Sequence, residues 1–122
     1  MSQCGVVWTQ SQLIRKADVE AGRSVLASLR KKNGLPVDNA LIEWAESQGL
    51  AVRIDRSSVW GNPYRLGADG TRKEVIERYR EYFAHHRSLH QRIGELKGKV
   101  LICWCYPEYC HGEVLLEALK AL

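Results

Sequence analysis

Strand-sized apolar runs alternate with helix-period patterns along this chain, and that alternation constrains the fold more than any other feature. Thr9 is placed to cap a helix over residues 11–20, with Gly22 just past its end. Residues 24–30 read as strand or helix, and Lys31-Lys32-Asn33-Gly34 reads as a turn. Asp38 is expected to cap a helix that carries Ala40, Leu41, Trp44 and Ala45 and closes at Gly49. Residues 50–55 form a short strand on which Val52 and Ile54 share a face. After a fifteen-residue loop over 56–70, Thr71-Arg72-Lys73-Glu74 has the spacing of a capping box. Val75, Ile76, Tyr79, Tyr82 and Phe83 then recur at helical spacing. A second helix is expected over 89–96 and a strand over 99–105. A last helix carries Val114, Leu115, Ala118 and Leu119. This order implies an α/β protein, a small three-layer Rossmann-like domain with a short, mainly parallel sheet. Ligands of such sheets sit beyond the carboxyl ends of the strands. Two segments fall at that edge, 55–64 and 105–111, and their convergence into one pocket is the central expectation.

A length of 122 residues suits a single domain with one real core. No apolar run approaches the length of a membrane span, and the N-terminus lacks a basic-then-apolar leader, so a cytoplasmic protein without membrane contact is expected. Thiols stay reduced in that compartment, which turns a cysteine cluster toward metal binding or reactivity rather than disulfides. Net charge is +4 with a pI near 9.0. A modest positive field favours anionic partners, a nucleotide-like small molecule or nucleic acid, although the same charge also serves solubility.

The chemistry concentrates in Cys103-Trp104-Cys105-Tyr106-Pro107-Glu108-Tyr109-Cys110-His111, where a buried strand meets a helix N-terminus. A thiol in the first turn of a helix is acidified, and a neighbouring imidazolium acidifies it further. Cys110 is therefore the candidate nucleophile, with His111 as acid or base and Cys105 completing the catalytic group. The same N-terminus can hold a phosphate, and Gly112 would admit a ligand close to the backbone. The plainer reading makes Cys110 a small buried filler and His111 a helix-end hydrogen-bonder. No cofactor is required, but zinc is the rival. Cys103 and Cys105, at i and i+2 on one strand, face the same way, and with Cys110 and His111 they would make a Cys₃His site. Against it, the spacing is unlike two separated zinc knuckles, and adjacent helix residues diverge.

Trp60-Gly61-Asn62-Pro63 offers a second set of candidate ligand contacts. Trp60 presents a surface for stacking, and Asn62 both donates and accepts. Gly61 permits a tight bend, and Pro63 keeps Asn62 extended. Just before them, Asp55 is placed for ribose hydroxyls and Arg56 for phosphate. The alternative has Trp60 plugging the end of the sheet and Asn62 closing a turn. Residues 9–32 also loosely resemble a helix-turn-helix that would place 24–30 in a DNA major groove, although Asp18 stands where the turn wants glycine.

Two of these motifs together carry a resemblance. Trp60-Gly61-Asn62-Pro63-Tyr64, Asp69-Gly70-Thr71, Val75-Ile76-Glu77-Arg78-Tyr79, Cys103-Trp104-Cys105, Pro107 and Cys110-His111-Gly112 resemble a family of bacterial and phage proteins catalogued as domain of unknown function 4326. The resemblance covers about residues 50–121 and leaves a helical extension over about 1–22. It implies the fold and the choice of site, and it supplies no reaction. The expectation is a protein that binds a nucleotide-like or other phosphorylated ligand at the carboxyl edge of the sheet, with thiolate-dependent transfer or hydrolysis. The alternative is a zinc-stabilised, non-enzymatic module that binds nucleic acid or protein.

Overall fold

A computed structural model describes residues 8–105, 108 and 110–122. Tyr106, Pro107 and Tyr109 of the cysteine-rich stretch lie outside the described residues, as do residues 1–7. Three parallel strands form the sheet: β1 (Val25–Ser28), β5 (Val100–Cys103) and β4 (Ala51–Arg53), in that spatial order with β5 central. Val25 lies opposite Val100 and Ala51 also lies opposite Val100, so all three strands enter the sheet in step. A minimal hairpin, β2 (Lys31–Lys32) with β3 (Leu35–Pro36), stands apart. Its two-residue turn puts Asn33 at φ 56° and Gly34 at φ 84°, the left-handed pair that matches the twist of a tight hairpin.

Side chains alternate across β1 and β5 and so divide the core in two. Val25, Ala27, Val100 and Ile102 pack with Val19, Leu41, Ile42 and Ala45 from α1 (Gln10–Glu20) and α2 (Asn39–Ser47). Leu26, Leu101 and Cys103 face the other way. They meet Val75, Ile76, Tyr79 and Phe83 of α3 (Arg72–Ala84), Leu89 of α4 (Arg87–Arg92), and Val114 and Leu115 of α5 (Gly112–Lys120). Ile93 and Leu96, on a short 3₁₀ turn after α4, join that second cluster. The result is the expected three-layer α/β arrangement, with helices on both faces of a parallel sheet whose strands β1 and β5 are buried throughout.

Both capping boxes form. Thr9 Oγ1 accepts from Gln12 N at 3.1 Å while Gln12 Oε1 accepts from Thr9 N at 2.9 Å. Thr71 and Glu74 do the same at the start of α3, at 3.2 and 2.7 Å. Asp38 departs from expectation. It precedes α2, but its carboxylate caps nothing. Instead it is buried and accepts from both guanidinium Nη atoms of Arg15, from Ser28 N at 2.8 Å and from Gln12. Arg15 also donates to Leu26 O at 2.7 Å. A buried charge gains more from a guanidinium and a strand N–H than from a partly solvated helix end. The helix-turn-helix reading falls here as well. Residues 25–28 are a buried strand hydrogen-bonded to β5, so no second helix exists to enter a groove.

Candidate functional site

The two segments beyond the carboxyl ends of β4 and β5 do converge. Asp55, Arg56, Asn62 and Tyr64 from the first, and Trp104, Cys105, Cys110 and His111 from the second, line one cleft of about 410 Å³. Cys103 forms its floor, and Arg72, Val75 and Ile76 of α3 close one wall. Arg65, Leu66 and Ala68 complete the rim. That volume lies in the range of small-molecule sites.

The sulfur cluster divides its roles in a way the sequence did not anticipate. Cys105 is half-buried, and its thiol is lowered to about 6. The hydrogen bond from Cys110 contributes most to that shift, and the guanidinium of Arg72 and the charge of Arg30 add to it against the cost of burial. Cys110, the expected thiolate, is 1% exposed. Hydrogen bonding to Cys103 and Cys105, together with burial, pushes its thiol far up, and the hydrogen bond from Gly112 N at 3.4 Å does not offset them. Cys105 is thus the more acidic of the two, and Cys110 is the one that keeps its proton. The expected imidazolium is absent too. His111 is buried, and desolvation lowers its pKa, so the ring is neutral.

The tautomer of His111 follows from its partner. Nε2 lies 2.6 Å from Ile54 O, and a carbonyl only accepts, so Nε2 carries the proton. Nδ1 then presents its lone pair to Cys110 Sγ at 3.7 Å. The ring is held edge-on to Tyr79 at 4.9 Å between centroids. Among the described residues no group of three or more His, Cys, Asp or Glu is arranged to hold a metal ion.

The Trp-Gly-Asn-Pro loop serves mainly to build the wall. Trp60 is 3% exposed and belongs to the core, away from the cleft lining. Its carbonyl accepts from Tyr79 Oη at 2.8 Å, and Arg92 lies over its ring. Burying so large an apolar surface at the end of the sheet outweighs leaving it open for stacking. Gly61 is required by close approach. A Cβ there would stand 2.6 Å from Arg56 Cα and 2.7 Å from Asp55 O. Asn62 Nδ2 donates to Val75 O at 3.1 Å and Oδ1 accepts from Tyr64 N at 2.9 Å, so the amide ties the loop to α3. Pro63 is exposed and outside the cleft. Gly112 is buried, and a Cβ there would stand 2.5 Å from Leu26 Cδ2, so it serves helix packing and offers no opening to a ligand.

Asp55 and Arg56 reach the cleft with much of their bonding capacity spent. Arg56 donates to Asn62 O and Tyr64 O, both at 3.1 Å. Asp55 accepts from Ser57 through one oxygen, and from Arg53 and Trp104 Nε1 through the other, the last at 2.9 Å. Burial tends to raise its pKa, but the hydrogen bonds from Arg53, Ser57 and Trp104 prevail and hold the carboxyl well below the usual range. Asp55 is therefore a clamp between the two loops rather than a free ribose acceptor. Asp55 is paired with Arg53, and three arginines also line the cleft, Arg56, Arg65 and Arg72, the last of them paired with Glu108 at 3.3 Å.

Residues 42–121 match the family described as Domain of unknown function (DUF4326). The chain belongs to that family. Among curated proteins it is similar to the uncharacterized protein R718 of Acanthamoeba polyphaga mimivirus, 36% identical over 73 residues that cover 53% of this chain and 55% of the relative. It is also similar to an uncharacterized 12.4 kDa protein of the nrdA-td intergenic region of Enterobacteria phage T4. That protein is 30% identical over 76 residues, covering 58% of this chain and 68% of the phage protein. The chain thus spans about half the length of the mimivirus relative. No solved structure matches it. All the cleft residues named above fall inside the DUF4326 match, whereas β1 and α1 precede it.

Trp104, Arg72, Arg65 and Leu66 escaped the sequence reading. Arg72 carried a signal, as the first residue of a helix whose capping box places its start beside the sheet's carboxyl edge. Trp104, flanked by two cysteines at a strand end, carried one as well.

Proposed function

We propose that this DUF4326 protein binds a small phosphorylated, nucleotide-like ligand in the cleft and acts on it through the Cys105 thiolate. The observation that carries the reading is a half-buried, acidified thiol inside a cleft that three arginines also line. Guanidinium groups suit phosphate oxygens in pairs. In a transfer or hydrolysis the Cys105 sulfur bonds the electrophilic atom while the bond to the leaving group breaks and that group departs with the electron pair, protonated from solvent; an acceptor hydroxyl or water then displaces the sulfur and returns the thiolate. His111, neutral and pinned by Ile54 O, orients Cys110.

Thermal unfolding with a panel of nucleoside mono- and diphosphates and ADP-ribose tests this. At a ligand concentration of about 100 Kd, binding stabilises by about 2.7 kcal/mol, a shift of several degrees for a domain of this size. Arg72→Gln is expected to abolish the shift. Cys105→Ser is expected to keep it while losing turnover. A panel in which no compound raises the melting temperature overturns the reading.

A further inference from the structure

The face of the cleft opposite in character to its arginines is apolar and exposed. Trp104 is 48% exposed and Leu66 55%, and both line the cleft. The indole N–H is already satisfied by Asp55, so what Trp104 leaves open is its ring face. Its attachment is rigid, because the Asp55 carboxylate is itself held by Arg53 and Ser57. A clamp between loops needs only an N–H donor, which a smaller polar side chain supplies. The large flat ring held half-open beside Arg72 and Cys105 is unexplained by clamping.

We propose, building on the phosphorylated-ligand reading above, that Trp104 is the stacking platform for an aromatic base, which makes the ligand of this cleft a nucleoside phosphate rather than a sugar phosphate or inorganic phosphate. The base lies against the indole face with Leu66 at its edge, and the phosphate is taken by Arg56, Arg65 and Arg72. Stacking tolerates every base because each has a π-face, so this contact favours nucleotides as a class over any one base. Trp104 takes the role that the sequence suggested for Trp60.

Binding of AMP, GMP, CMP, UMP, ribose 5-phosphate and inorganic pyrophosphate to the full chain separates the possibilities. Nucleotides are expected to bind on the order of tenfold more tightly than ribose 5-phosphate. Trp104→Leu removes that advantage while leaving ribose 5-phosphate binding in place, and Trp104→Phe, which keeps an aromatic face, retains most of it. Binding should also quench tryptophan fluorescence in the native chain, and Trp104→Phe should abolish the quench without abolishing binding. Such a readout does not respond to a merely structural role. If nucleotides and ribose 5-phosphate bind alike, the platform is overturned while the phosphate site stands. If nothing in the set binds, both readings fall together.

Discussion

At the scale of single residues, the decisive question is which of the clustered thiols gives up its proton. Cys105 is acidified by the hydrogen bond from Cys110 and then by Arg72, whereas Cys110, buried against Cys103 and Cys105, is pushed the other way. Among Cys103, Cys105 and Cys110, alkylation by iodoacetamide mapped by peptide mass should therefore show one fast thiol whose rate is half-maximal near pH 6 and flat above pH 8. Arg72→Gln is expected to move that midpoint up only part of the way toward the ordinary thiol value, since the hydrogen bond from Cys110 remains, and Cys105→Ser to remove the fast phase. The sign for stability follows from the same depression. The folded chain holds the anion more readily than the unfolded chain does. The contribution is therefore complete above the unfolded value of 9.0 and is lost as pH falls through about 6. The sequence showed that thiols and an imidazole would meet at this edge. It could not show which thiol would be the more acidic, because that depends on the hydrogen bond Cys110 gives to Cys105 and on a guanidinium delivered by α3. The exchange of roles between Trp60 and Trp104 has the same origin. Which indole is buried depends on where the loop folds back over the sheet, and local pattern is silent on that.

At the scale of elements, α1, β1 and α2 meet at Asp38. Burial works against its ionisation, but hydrogen bonds from Arg15, Ser28 N and Gln12 lower its pKa below the ordinary carboxylate value. Asp38→Ala leaves Arg15 charged without its bidentate acceptor. Unfolding in urea is expected to show a loss of about 3–5 kcal/mol, the usual cost of breaking a buried pair from one side. The double variant Arg15→Met, Asp38→Leu should lose markedly less, since it removes both charges together. Element boundaries were legible where the determinants are local. Thr71 with Glu74 is a complete capping device within four residues and α3 starts where it places it, while α1, expected from residue 11 after the Thr9 cap, starts one residue earlier at Gln10. Asp38 misled for the converse reason. A helix cap and a buried ion-pair acceptor look alike in sequence, and only the arrival of Arg15 from another helix separates them.

At the scale of the whole molecule, the family match begins inside α2, while β1 lies before it. A variant reduced to residues 42–121 keeps every cleft residue named here but deprives β5 of the neighbour hydrogen-bonded along Val25–Ser28. It also uncovers Val100 and Ile102, which α1, β1 and α2 now help to enclose. Sedimentation of that variant is expected to show self-association, since an unprotected hydrophobic strand edge recruits further strands. For comparisons within the DUF4326 family, this has a practical meaning. A relative that aligns only over the shared segment must obtain a third strand from some other part of its own polypeptide, or borrow it from a second copy.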